Sequence, residues 1–522
     1  MRLFKLGICL SFLLFICSCA SGSKTIRHSK PSYKPSDAKY LFNKQEGNFY
    51  FTVLQINDVY EIAPVQGGKY GGMARVETIH QELLKEDTNT FLMLAGDFLN
   101  PSLLGTIKVD GERVKGKQMV DVMNAMNFDL VAFGNHEFDI SYKHLQSRLN
   151  ESNFEWISAN VLHNQEGKAH YFHKIKDGKK IAVNDSYIQD VYNKDKVIKV
   201  GFISTCIPSN PKDYVSYGDI YAEAERSYGE IKDKTDLVLG LTHLSIEQDI
   251  ELAKKIPALP LIMGGHEHTN NYITIGNVKI AKADANAKSV YIHRIEFNPI
   301  TKKTRVKSEL RMVDDQIPED DNVKKVVDKW QAILNKKIKN VIANPIEVIY
   351  NAKIPLEGRD TPSRSEQTNM GEIITNAMRF AYDNNVDCAL LNGGSIRIDD
   401  VLSGDINAVD IFRVLPYGGP ILKVEMKGSL LNQVLDFGTQ ASGTGAYLQR
   451  NNVTKKGINW FVNKDVINPE KTYVVAISDY LMKGFDIPFL KEETPGVINV
   501  YRPNNTELSF DIRKAIVEYL KK

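Results

Sequence analysis

Short apolar runs that stop abruptly on polar residues dominate the first half of the chain. Phe49-Tyr50-Phe51-Thr52-Val53-Leu54-Gln55-Ile56 breaks off at Asn57-Asp58, and Phe91-Leu92-Met93-Leu94-Ala95 at Gly96-Asp97. Phe128-Asp129-Leu130-Val131-Ala132-Phe133 gives way to Gly134-Asn135-His136-Glu137, with Asp139 three residues after the His. Residues 196–206 form another such run; residues 236–242 lead to His243, and residues 259–263 to Gly264-Gly265-His266-Glu267-His268. Their β-branched and aromatic content predicts strands. Between them, residues 73–85 and 246–254 space apolar positions as a helix does. Alternating strands and helices predict an α/β layered core, in which loops at the carboxyl ends of strands gather into one crevice. Any one of these polar residues alone fits a helix cap or a hydrogen-bonded core histidine. Asp58, Asp97, Asn135/His136, His243 and His266/His268 at the same place on successive strands fit neither.

The second half repeats the pattern with different endings. Residues 371–382 read as a helix and 387–391 as a strand running into Asn392-Gly393-Gly394-Ser395-Ile396-Arg397. Strands over 421–426 and 472–478, a helix over 430–437 and a last helix from about Ser509 complete it. Between the halves, Val323, Val327, Trp330, Leu334, Ile338 and Val341 recur at helical spacing after Pro318 and a run of acids, and Asn344-Pro345 ends the run. Packing alone would make it an ordinary amphipathic helix.

Length and charge narrow the picture. A chain of 522 residues exceeds one ordinary core, so two domains are expected. A formal net charge of +2 gives no global field for nucleic acid. Arg2 and Lys5 precede an apolar run, Leu6 to Ile16, too short to span a bilayer comfortably; with small residues after it, this reads as an export signal rather than a retained membrane anchor. Ile16-Cys17-Ser18-Cys19 resembles the bacterial lipobox, which implies a lipid on Cys19 after cleavage of residues 1–18 and a durable membrane tether. Residues 19–48, rich in Ser, Lys, Pro and Asn, read as a flexible stalk. Only Cys206 and Cys388 remain beyond the leader; they are expected in different domains, with no disulfide framework.

Carboxylate, amide oxygen and imidazole suit borderline divalent ions such as Zn, Mn, Fe or Co. The candidates are too many for one ion and enough for two that share a bridge. Two such ions about 3.5–4 Å apart stabilise both attacking and leaving oxygens of a phosphoryl displacement.

Asp58, Gly96-Asp97, Gly134-Asn135-His136-Glu137, His243 and Gly265-His266-Glu267-His268 resemble the motifs of calcineurin-like metallophosphoesterases. With the second half, the order resembles the two-domain 5′-nucleotidases and UDP-sugar hydrolases. The resemblance implies a four-layer αββα sandwich over 49–316, a linker helix over 317–344 about which the halves rotate, and a smaller α+β nucleotide-binding domain over 345–522. It implies that Asp97 bridges two divalent ions, that Asn135, His243 and His266 complete one site, and that Asp58 and His268 serve the other. His136 would protonate or stabilise the departing oxygen, its ring oriented by Asp139. Arg364 and Arg397 would contact phosphate or carboxylate, Tyr417 and Tyr480 would sandwich a base, Asn392 would bond its edge and Asp486 the ribose hydroxyls. Two departures stand out. Where the family reads Asp-x-His, this chain reads Asp58-Val59-Tyr60; where it reads Gly-Gly-Asp-Gly-aromatic, this chain reads Lys483-Gly484-Phe485-Asp486-Ile487. A phenol, with a pKa near 10, binds only a strongly Lewis-acidic ion, so the first metal site is expected to be weaker, to hold a different ion or to recruit water. The expected protein is a monomeric, lipid-anchored phosphatase acting on nucleoside 5′-monophosphates outside the cytoplasm. The alternatives are a 2′,3′-cyclic phosphodiesterase or nucleotide-sugar pyrophosphatase, and a surface protein that binds nucleotides without turnover.

Overall fold

The computed structural model describes residues 36–209 and 212–522; the expected leader and Cys19 lie outside them. In the amino-terminal part, β1 (Phe49–Ile56), β2 (Thr90–Ala95), β3 (Leu130–Ala132), β4 (Glu155–Ile157), β5 (Ser186–Asn193), β6 (Lys196–Ile203), β7 (Leu237–Thr242), β8 (Leu261–Gly264), β9 (Asn271–Ile275), β10 (Val278–Lys282), β11 (Ser289–Phe297) and β12 (Thr304–Met312) build two six-stranded sheets. One runs β12-β11-β1-β2-β3-β4 and the other β5-β6-β7-β8-β10-β9. Neighbours from β1 to β4 pair in parallel, as do β6, β7, β8 and β10. β11, β12, β5 and β9 extend the edges antiparallel.

The sheets bury a shared core, with Phe51, Val53, Met93 and Ala95 against Val200, Phe202, Leu239 and Met263. Strand alternation sends Leu54, Ile56, Leu92 and Leu94 to the opposite face. There they meet α1 (Met73–Glu86), α2 (Lys117–Ala125) and α3 (Tyr142–Glu151). α4 (Ile220–Ile231) and α5 (Ile246–Lys255) cover the second sheet. The result is a four-layer αββα sandwich. Strands covered on both faces read as unbroken apolar runs, which is why they stand out in the sequence.

The expected linker helix is α6 (Asp321–Lys339), capped by Asp320 accepting from the N–H groups of Asn322 and Val323. It is no free-standing strut. Its buried stripe of Val323, Val327, Trp330, Leu334 and Ile338 packs on α1 and α2, and the Trp330 indole donates to Asp121 (3.2 Å). The part of the expected stalk that is described also lies down on the domain. Ser36 Oγ accepts from Arg294 (2.8 Å), and Lys307 donates to the carbonyls of Lys39 and Leu41. Phe42, an aromatic among polar neighbours, sits under the Arg305 guanidinium at 5.1 Å.

The carboxyl-terminal part centres on a five-stranded sheet in the order Leu448–Asn451, Cys388–Asn392, Thr472–Ser478, Ile421–Lys427, Val497–Tyr501. Helices Asn369–Phe380, Gly428–Gln440 and Ile512–Leu520 pack on it. The last helix starts later than expected because Leu508–Phe510 forms a 3₁₀ turn and Asp511 caps Arg513 N. Cys206 and Cys388 are buried and free.

If α6 is a built-in layer of the first domain, Trp330→Ala should destabilise that domain by about 3–5 kcal/mol. Thermal melts of the variant check this; an unchanged melting temperature would show that the helix is dispensable to the core.

Candidate metal centre

The parallel strands of both sheets end at one rim, and the loops after them bend sharply. Asp58, Asp97, His266 and His268 all adopt left-handed backbone, with φ of +53°, +62°, +88° and +59°. Non-glycine residues hold that conformation only where the surroundings enforce it, and such positions cluster at functional sites. Glycines let the loops close: a Cβ at Gly134 would fall on the Asp97 carboxylate, and one at Gly265 would lie 2.7 Å from His243 Nδ1.

The predicted ligands converge beneath this rim. Asp97 Oδ2 is 3.2 Å from His243 Nε2, and Asn135 Oδ1 is 3.2 Å from the same nitrogen. Asn135 precedes a 3₁₀ turn, His136–Asp139, but its side chain caps nothing, so the helix-cap alternative falls away. The rings of His243 and His266 are 5.4 Å apart. Asp58 Oδ1 is 3.4 Å from His268 Nε2. Ligand atoms of Asp58, Asp97 and His268 lie within 4.8 Å of one another. Two buried carboxylates, an amide oxygen and three imidazoles suit borderline divalent ions, so the residues present fit the metals expected of them.

Hydrogen bonds around the cluster settle which ring nitrogens face it. His243 Nδ1 donates to the Ala95 carbonyl (2.8 Å), and His268 Nδ1 to the Asp399 carbonyl (2.7 Å). Such outer bonds fix the tautomer and leave Nε2 free for a metal. Asp399 belongs to the second domain, so that domain orients a ligand of the first. His136 Nδ1 is 2.8 Å from Asp139 Oδ2, as expected of a dyad. Asp139 is also approached by Asn100 Nδ2 (3.3 Å), Lys212 (3.6 Å) and, across the domain boundary, Arg397 (3.9 Å).

Charges shift accordingly. Burial opposes a charged His136, but Asp97 and Asp139 outweigh it and raise its pKa to about 10. The same contest, won by Asp97, raises His243 to about 9. His266, buried and beside His243, falls to about 4. Burial works against an ionised Asp97, yet His243 and His136 hold it well below the usual carboxylate range.

One cavity of about 1340 Å³ opens over the rim between the two domains. Asn135, His136, Asp139, His266 and His268 line one wall; Arg364, Asn392, Arg397, Tyr417, Tyr480 and Asp486 line the other. Asp58, Asp97 and His243 are fully buried beneath the floor. Asn392 Nδ2 donates to Asp486 Oδ2 (2.6 Å) and Tyr480 Oη to Asp486 Oδ1 (3.2 Å). Asp486 thus reaches the pocket despite its altered motif. Tyr480 also packs against Phe485 at 5.4 Å, and Arg364 is paired with Asp360.

Several working residues go unassigned in the sequence. Glu137 accepts from the N–H groups of Asp97 (2.9 Å), Phe98 (2.7 Å), Leu99 (3.1 Å) and Gly134 (2.6 Å), tying two ligand loops together. Lys282, buried against Asp249 (2.9 Å), Glu267 and the Leu244 carbonyl (2.6 Å), anchors the loop of His266 and His268. Asn57 donates to Asp58 Oδ2 (2.7 Å). The repeated acids after Asn-His and Gly-His are the available signal for Glu137 and Glu267; nothing local marks Lys282 or Asp399.

Comparison with known proteins agrees with the geometry. Residues 51–270 match the family described as calcineurin-like phosphoesterase, and residues 348–492 the 5′-nucleotidase C-terminal domain. A 5′-nucleotidase of Homo sapiens is 26% identical over 454 residues, covering 77% of this chain and 74% of that protein. A snake venom 5′-nucleotidase of Naja atra is 26% identical over 504 residues, covering 84% and 91%. The crystal structure of a 5′-nucleotidase precursor from Thermus thermophilus shares the fold with a TM-score of 0.65 at 23% identity, covering 91% of this chain and 96% of that one.

Removing the Glu137 carboxylate would strand four buried donors. Glu137→Ala should therefore lower stability by about 3 kcal/mol or more, each orphaned donor costing roughly 1–3 kcal/mol. Urea melts of Glu137→Ala and Glu137→Gln, both falling below wild type, would bear this out.

Proposed function

Since the chain belongs to the two-domain 5′-nucleotidase family, a metal-dependent phosphoester hydrolase, we propose that it cleaves nucleoside 5′-monophosphates to nucleoside and phosphate outside the cytoplasm. The observation that carries this reading is the shared cavity, which sets the ligand rim and the His136–Asp139 pair opposite aromatic, amide and carboxylate groups.

Asp97 would bridge two ions, with Asn135, His243 and His266 completing one site and Asp58 and His268 the other. Bound there, the pair supplies Lewis acidity to both oxygens of the displacement. The chain's own residues do the rest. Asp139 takes the Nδ1–H of His136 (2.8 Å), leaving Nε2 to hold a proton for the departing ribose oxygen. Arg364 and Arg397 offer planar guanidinium groups to the anion. Tyr417, 57% exposed, and Tyr480, 39% exposed, present rings for a base. Stacking on such rings is worth about 1–3 kcal/mol per base in single-strand binders, enough to favour nucleotides over simple phosphates. Asn392 and Asp486, already bonded to each other, would meet the base edge and the ribose hydroxyls.

Location belongs to the same proposal. The charged start, the apolar run and Cys19 support export and a lipid tether in a bacterial membrane, with the protein a monomer there. No helix among the described residues is long and apolar enough to cross a bilayer.

Purified protein supplied with Mn, Zn, Co or Fe is expected to release phosphate from nucleoside 5′-monophosphates, and a chelator to abolish it. His136→Ala should lower kcat by roughly 10²–10⁴-fold, the usual worth of a general acid, and Asn135→Ala should also slow turnover. Rates equal to wild type in both variants would overturn the mechanism; affinity without turnover would favour the binding-protein alternative. Asp139 raises the His136 pKa, so Asp139→Asn should move the alkaline limb of kcat to lower pH. Cys19→Ser should leave the protein in the soluble fraction, as fractionation would show.

A further inference from the structure

Tyr60 stands where relatives with Asp-x-His would carry an imidazole, and the structure puts its hydroxyl into the first metal site. Tyr60 Oη is 3.2 Å from Asp97 Oδ2 and 3.0 Å from His268 Nε2. His268 Nε2 in turn is 3.4 Å from Asp58 Oδ1. Donors about 2.0–2.2 Å from a common ion stand between about 2.8 Å (cis octahedral) and about 3.6 Å (tetrahedral) from one another. All three separations lie in that window. The ring is 3% exposed, so the hydroxyl has little solvent to turn to. With His268 neutral and its Nδ1–H given to the Asp399 carbonyl, the one hydroxyl proton serves Asp97 or His268; either a second proton on His268 Nε2 or a cation among the three donors meets both contacts.

The loop that carries Tyr60 is held in place for this. Asn286 Oδ1 accepts from the N–H groups of Tyr60 and Glu61, both at 3.2 Å. Asn286 Nδ2 donates to Asp400 of the second domain (3.3 Å). His268, with Nδ1 given to the Asp399 carbonyl, presents Nε2 on the same side as the phenol.

From this geometry we infer that Tyr60 Oη is a ligand of the first metal ion, and that the site takes trivalent iron in place of a divalent ion. On binding, the O–H bond breaks, the proton leaves to solvent and the oxygen keeps the electron pair it donates to the metal. Asp58, the shared Asp97 and the phenolate then place three negative charges around one buried position. Uncompensated buried charge is costly, and a phenolate is a hard oxygen donor that favours a hard, highly charged ion. An imidazole there would leave one negative charge fewer and suit a divalent ion. The inference rests on the metallophosphatase reading of this site and adds the identity of one ligand and one ion to it.

Full-length protein loaded with ferric ion should be coloured by phenolate-to-iron charge transfer, with tyrosinate modes in the resonance Raman spectrum. Tyr60→Phe should lose the colour and bind one ion fewer per chain by elemental analysis. Tyr60→His, a check that loss of colour is not loss of folding, should bind two divalent ions without colour. Ferric ion that fails to bind, binds without the band, or keeps the band in Tyr60→Phe would overturn the assignment. Phosphate release measured on the same samples separates the two claims. Hydrolysis without the band removes this inference alone, whereas the band without hydrolysis of any nucleotide removes the nucleotidase reading alone.

Discussion

Four backbone N–H groups from two loops converge on the carboxylate of Glu137, and the site depends on that convergence. The loop after β2 delivers Asp97 and the loop after β3 delivers Asn135 and His136. Neither has a ladder of its own to hold it, because both lie beyond the last paired residues of their strands. One buried acid does for these loops what hydrogen bonding does for a sheet. Lys282 plays the matching part under the loop after β8, where its ammonium is shared by Asp249 and Glu267. The ligands can therefore hold left-handed backbone, a conformation that free loops would abandon.

The second domain also shapes the site of the first. The Asp399 carbonyl fixes the His268 ring, Arg397 reaches Asp139, and Arg413 joins Glu61 (3.4 Å) to Asp410 (3.2 Å). Lys288 Nζ meets Asp400 at 2.8 Å. These are charged or hydrogen-bonded contacts, several of them buried. Apolar packing joins the halves as well, since buried residues such as Val59, Ile62 and Leu103 share one hydrophobic cluster with Ile396, Ile398 and Leu415. The rim and the groups across the cavity from it are thus complete only when the domains are together.

The sequence discloses whatever depends on a side chain at a strand's end. Asp58, Asp97, Asn135, His243, His266 and His268 can be named because both faces of their strands are buried, so each polar ending is conspicuous. The hairpin of His173–Lys176 with Lys179–Ala182 passes unread, since most of its residues are exposed and no apolar alternation marks it. β9 and β12 are half-exposed and hide for the same reason. Asp399 is invisible in a different way. Its carbonyl accepts from His268 Nδ1 (2.7 Å) with its carboxylate beside it (3.4 Å), and neither contact has a local pattern in the sequence. Tyr60 shows only as a departure from a pattern; its meaning comes from the atoms around its hydroxyl. The spacing of α6 marks it as amphipathic, but an apolar stripe does not say which neighbour it faces.

Because α6 is clamped to α1 and α2, it travels with the first domain. The only covalent connection left to accommodate relative movement is residues 340–347, between the end of α6 and the strand that begins at Val348. A leash that short permits swivelling and forbids wandering. Any movement of the second half on the first would have to pivot on these eight residues.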